Sequence, residues 1–253
     1  MIDAGSLEFA HARIWARQGD TPGEALWRRI EVTRDFAAAL EIARASPLAR
    51  WLEGLGADAG AHAIERVMRR HWRERVAELA SWMPQPWQAA VQWCSVLIDL
   101  PALQHLAGGA APAQWMTDDP AWHAIVNDGA PVGAAWQPML AAARADVRSV
   151  LPRWQAEWVR RLPRGFGRAT LDEQLVPLLA DHVAAFAAPQ ASDGWALRHA
   201  LQRRLLLMLR RVLLEPAAAF VYLALCALEF ERLRGELLRR AVFAQSARSR
   251  AAP

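Results

Sequence analysis

Lysine is missing altogether: all 30 basic residues are arginine, so every fixed cation is a planar guanidinium suited to bidentate pairing. With no lysine there is no GxxxxGK[ST] phosphate-cradling loop, which excludes a P-loop nucleotidase. Tyrosine occurs once, and β-branched residues are sparse beside Ala, Leu and Arg. A sheet protein is disfavoured on that ground, because Ala, Leu and Arg lose little freedom in a helix. The two cysteines, Cys94 and Cys226, sit in apolar runs and match no metal or redox spacing. They read as small core residues of a reducing compartment. Long apolar runs are absent too. The longest, Pro216 to Leu228, is 13 residues and is fenced by Glu215 and Glu229, short of the roughly 20 that a membrane span requires. Met1 to Leu7 carries an acid and no apolar core segment, so no signal peptide is expected.

What is present favours helix. Of 253 residues, 54% are hydrophobic and 13 are tryptophan, enough for one large core or two smaller ones. The pI near 10.2 reflects arginine chemistry, since the formal charge is only +4. Helical periodicity runs through almost the whole chain, and strand alternation hardly appears. Leu7, His11, Ile14 and Trp15 predict a first helix ending near Gly19. Ile64, Val67, Met68, His71, Trp72, Val76 and Leu79 share one face of a long helix, with Glu65, Arg66, Arg69, Arg70 and Arg73 off it. Met83-Pro84-Gln85-Pro86 ends that helix and starts one from Trp87 toward Leu106, which Pro101 kinks or stops. Residues 107–138 are crowded with Gly and Pro and predict loops with short helical turns. Helices are expected over 139–161 and 171–187, with Ser192 or Asp193 capping the next. Trp195 to Leu214 carries Arg203, Arg204, Arg210 and Arg211 in pairs at heptad spacing. The last helix, from Ala217 to about Phe243, has the stripe Tyr222, Cys226, Phe230, Leu233, Leu237 and Ala241, and a frayed tail from Gln245 is expected.

Sites for chemistry are hard to find. The seven histidines form no HExxH and no i, i+3 or i, i+4 pair, so no metal is expected. Asp118-Asp119 resembles the start of an aspartate-rich metal motif, but Trp122 and His123 stand where a further carboxylate is needed. A turn with a helix cap before Pro120 explains the pair better. No GxSxG is present. The arginine-rich helices are interleaved with acids, 30 Arg against 26 Asp and Glu, which favours a solvated or interface face over nucleic-acid binding.

Three segments carry a resemblance. Phe9 to Gly19 (FAHARIWARQG) is similar to the opening of the C/d family of central-stalk proteins in the A/V-type rotary ATPases, the d-type being that of the eukaryotic V-ATPase. Ala12, Arg13, Arg17 and Gly19 match, and Trp15 replaces an arginine. Trp93 to Leu106 (WCSVLIDLPALQHL) resembles the helix that closes the family's first unit, with Asp99 and Leu103 matching and Ala102 in place of Asn. Leu214 to Phe243 (LEPAAAFVYLALCALEFERLRGELLRRAVF) is similar to the terminal helix, through Tyr222, Glu229, Phe230, Glu231, Leu233 and Arg234.

The resemblance implies an all-α fold of three-helix units arranged as a pseudo-threefold funnel, here with a reduced middle unit: 1–107, 108–170 and 171–253. It implies a non-catalytic central-stalk subunit, without cofactor or small-molecule substrate, that links the rotor shaft to the membrane ring and transmits torque for ion transport. Its expected place is cytoplasmic, peripheral to the inner membrane of a bacterium, with the shaft subunits and ring as partners and no nucleic acid. Arg13, Arg17, Asp99, Glu229, Glu231 and Arg234 become interface candidates, with salt bridges between packed helices as their other reading. The alternative function is a stand-alone helical binding or adaptor module, for which nucleic acid is a candidate ligand; an all-helical enzyme is the third.

Overall fold

Apolar residues spaced three and four apart place a side-chain stripe on one helix face, and the chain uses this device repeatedly. The structure, a computed structural model, describes residues 4–127, 139, 145, 146, 149–187 and 194–251. Among these the secondary structure is helical, with no strand. In chain order the helices are α1 (Ala4–Gly19), α2 (Glu24–Val32), α3 (Phe36–Arg44), a 3-10 segment (Pro47–Trp51), α4 (Ala61–Trp82), α5 (Gln85–Trp93), a second 3-10 segment (Cys94–Asp99), α6 (Leu100–Ala107), α7 (Gln114–Asp118), α8 (Pro120–Asn127) and α9 (Val150–Arg161). A turn at Arg168–Thr170 passes through a π-helical stretch, Leu171–Leu175, into α10 (Val176–Ala187), followed by α11 (Gly194–Arg211) and α12 (Ala217–Ala251).

The chain divides into two compact units, each assembled from three separated stretches. One comprises Met1–Thr21, Val76–Gln92 and Arg161–Arg232; the other comprises Pro22–Arg75, Trp93–Arg160 and Leu233–Pro253.

In the first unit Ile14 of α1, Leu79, Trp87, Leu171, Leu205 and Leu209 are buried, and Trp87 meets Phe220 edge-on with ring centroids 6.3 Å apart. His11 of α1 holds the turn between α11 and α12. The Leu214 N–H donates to its Nδ1 at 3.4 Å, and its Nε2 lies 3.4 Å from the Glu215 carbonyl. A main-chain N–H can only donate, so Nδ1 is the acceptor and Nε2 carries the proton. Leu214 takes a left-handed φ of 57° in this turn. A left-handed residue there keeps α11, which ends at Arg211, from including the expected Leu214. Cys94 and Cys226 are both buried, and neither is in a disulfide.

The second unit is richest in indole. Trp51, Trp72 and Trp122 have no exposed surface, and each buries a large apolar area. The whole predicted stripe of α4 is buried, His71 included, and His71 is satisfied by Glu74 and the Glu53 carbonyl at 2.8 and 2.9 Å. Pro101 lies in the first turn of α6, and the helix entering it tightens to 3-10 over Cys94–Asp99. Proline has no N–H to continue the α pattern, and carbonyls of that stretch turn to side chains of α4. Trp72 Nε1 donates to the Cys94 carbonyl at 3.2 Å and Arg69 Nη1 to that of Ile98 at 2.7 Å. Trp93 and Trp154 each donate their indole N–H to the other's carbonyl, at 3.1 and 3.4 Å.

Glu65 and Arg69 lie off the apolar stripe of α4 yet are buried, paired with Arg234 and Asp99 of other elements. Two expectations need correction. The last helix runs past Gln245 and continues to Ala251. The single helix from Trp87 toward Leu106 is three elements. The loops expected over 128–138 and the cap at Ser192 or Asp193 lie outside the described residues.

Candidate functional site

Glu65 and Arg69 are one helical turn apart on α4, and this spacing lets a carboxylate and a guanidinium meet. Arg69 Nε sits 3.1 Å from Glu65 Oε2. The same guanidinium reaches Asp99 Oδ1 at 2.6 Å and lies 4.1 Å above the Trp115 ring. Asp99, at the end of the 3-10 segment, has no solvent exposure; its Oδ1 also accepts from Trp122 Nε1 at 3.2 Å. Trp115 and Trp122 contact edge to face at 5.4 Å, so one indole and a guanidinium hold the carboxylate and the second indole packs against both of them.

The network extends in two directions. Arg234, on the C-terminal part of α12, forks onto Glu65, its Nε 2.9 and 3.0 Å from Oε1 and Oε2 and its Nη2 completing the pair. On α4, Arg73 pairs with Asp119. Asp119 also caps α8, its Oδ1 accepting the Ala121 N–H at 2.9 Å. This is the helix cap expected before Pro120, while Asp118 stays exposed.

Three guanidiniums (Arg69, Arg73, Arg234) thus face three carboxylates (Glu65, Asp99, Asp119). Burial pushes the Asp99 carboxyl above its ordinary range, while the charges of Arg69 and Arg73 and the hydrogen bonds from Arg69 and Trp122 pull it back. Asp99 Oδ2 and Arg73 Nη1 are buried without a hydrogen-bond partner among the described residues. With the carboxylates already bound to guanidiniums, the arrangement acts as a charge-balanced clamp. It fastens α4, the segment before α6, α7, α8 and the end of α12 within one unit.

A second clamp lies in the same unit. Arg240 of α12 donates to the carbonyls of Ile30, Glu31 and Thr33, the Glu31 and Thr33 contacts at 3.2 and 2.7 Å, and pairs with Glu236 at 2.6 Å. It therefore closes the exposed carbonyl end of α2. Burial raises the Glu236 carboxyl, but the hydrogen bonds and charges of Arg240 and Arg239 outweigh it and hold it below its ordinary value.

Of the six interface candidates, Asp99 and Arg234 are brought into one network through Arg69 and Glu65. Arg17 pairs with Glu78 at 2.8 Å. Arg13 is exposed and stacks over Phe9 and Trp82 at 5.2 and 5.9 Å. Glu229 is half-buried and Glu231 exposed on α12. Sequence reasoning did not single out Glu65, Arg69, Trp115 or Trp122 as site residues. The available signal was the i, i+4 Glu65–Arg69 pair beside a tryptophan-rich stripe. Among the described residues no group of three or more His, Cys, Asp or Glu side chains is placed to hold a metal. No helix among them is long and apolar enough to cross a membrane. No family model matches the chain, and no curated protein or solved structure matches it either.

Proposed function

We propose that this chain is a non-catalytic, helical coupling subunit of a bacterial A/V-type rotary ATPase, linking the rotor shaft to the membrane ring. The observation that supports the reading is the clamp itself. Asp99 belongs to the Trp93–Leu106 segment and Arg234 to the terminal helix, two of the three segments that resemble the C/d family; both enter one buried network. A part that transmits torque needs stiff helix junctions, and buried, charge-balanced pairs resist displacement because separating them strands a charge in apolar surroundings. In this reading the helices form a funnel of three-helix units with a shortened middle. Arg13, Glu229 and Glu231 are the candidates to meet partner subunits, and the protein works at the cytoplasmic side of the inner membrane without entering it.

The second reading is a stand-alone helical adaptor. Nucleic acid is the weaker choice of ligand for it, because acids are interleaved along most of the chain and its most basic helix also exposes leucine. Affinity purification of a tagged copy from its own cells separates the two readings. Recovery of the shaft and ring subunits of a rotary ATPase is the expected result, and their absence would reject the coupling role.

A further inference from the structure

Between Gly194 and Leu214 the sequence contains five arginines and no Asp or Glu. Helix α11 occupies most of that stretch, and its Leu201, Leu205 and Leu209 are buried. At about 100° per residue the opposite side centres on Leu207. Arg203 and Arg210 flank it on one side, and Arg204 and Arg211 on the other. All four arginines are exposed, and Leu207 is 53% exposed. None of the four has an ion-pair partner among the described residues, whereas Arg198, the fifth, lies over the rings of Phe186 and Trp195. Just beyond the helix, Leu213 and Leu214 are exposed by 61% and 47%.

We infer that this face of α11 docks reversibly on a bilayer of acidic phospholipid, with the arginines at the phosphates and Leu207, Leu213 and Leu214 at the acyl boundary. Charge complementarity selects an anionic partner, and the leucines select among anions. A nucleic-acid backbone would take the guanidiniums and leave the leucines in water. A lipid surface takes both, since arginine stems lie along apolar material while their heads stay at the interface. A second copy of this chain is a poor occupant, because pairing two such faces would bring eight guanidiniums together. Membrane docking does not rest on the rotary-coupling reading, and either can fail without the other.

Co-sedimentation of the full chain with vesicles tests it, comparing phosphatidylcholine alone with phosphatidylcholine containing phosphatidylglycerol. Binding is expected only to the acidic vesicles and should weaken with salt. Replacing Arg203, Arg204, Arg210 and Arg211 by Gln, as two separate pairs, should cost about fivefold per arginine at low salt. Leu207→Gln should weaken acidic-vesicle binding severalfold while leaving its salt dependence. All these positions are exposed, so circular dichroism and the thermal midpoint should match the parent. Equal binding to neutral vesicles, no binding to acidic ones, or an unchanged affinity in Leu207→Gln would overturn the proposal. So would mixed-sequence duplex DNA bound as tightly as acidic vesicles and indifferent to Leu207→Gln, which would mark a nucleic-acid surface instead.

Discussion

Asp99 is held in place by groups on α4 and α8, and each of them loses something if it goes. Asp99→Ala leaves the buried Arg69 guanidinium without its 2.6 Å partner and strands the Trp122 N–H. The expected cost is about 3–5 kcal/mol, read as a lower urea midpoint with an unchanged slope. Asp99→Asn keeps an acceptor and should cost less; a loss below about 1 kcal/mol for the alanine variant would contradict the buried pair. His11 makes a pH-dependent contribution of opposite origin. Burial pushes its pKa below the ordinary 6.5, against weaker raising by Glu215 and Val212. The unfolded chain therefore takes up the proton first, so stability is full above pH 6.5 and declines as pH falls toward the lowered folded value. Protonated Nδ1 would also face the Leu214 N–H, donor against donor. In His11→Asn, where an oxygen can accept that N–H, the slope of stability against pH below 6.5 should flatten by up to about 1.4 kcal/mol per pH unit. At this scale the sequence was partly readable. The Asp119 cap followed from Pro120 and local chain geometry. Arg69 did not, because a charged residue beside an apolar stripe reads as solvated until its partners are known.

Elements were more legible than sites. The stripes of α4 and α12 were visible as spacing alone, and each of their named residues is buried, because periodicity reports directly which side of a helix leaves water. Endings were harder. The turn after Arg211 depends on His11, some 200 residues away in sequence, gripping Leu214 and Glu215, and no local pattern encodes that. The length of α12 beyond Phe243 likewise escaped a reading based on composition. Arg240 illustrates how elements are joined: one guanidinium of α12 serves the last carbonyls of α2 and a carboxylate of its own helix. Arg240→Ala should therefore destabilise by about 3 kcal/mol or more, with hydrogen exchange rising over Glu24–Val32 ahead of the rest of the chain. Uniform exchange across the chain would show instead that α2 is held by its apolar face alone.

At the scale of the whole molecule, helix periodicity names the buried face of each segment but not what covers it. The all-helical class was therefore readable, whereas the grouping of the helices is set by contacts between distant stretches. That grouping alternates along the chain: the boundaries fall after Thr21, Arg75, Gln92, Arg160 and Arg232. One unit still lacks part of itself until Arg232 has been made, and the other until the stretch beginning at Leu233 follows. An emerging chain thus cannot finish its amino-terminal half first and then the rest, as proteins built from consecutive domains commonly do. Helices made early must wait, apolar stripes uncovered, for partners more than a hundred residues later in the chain.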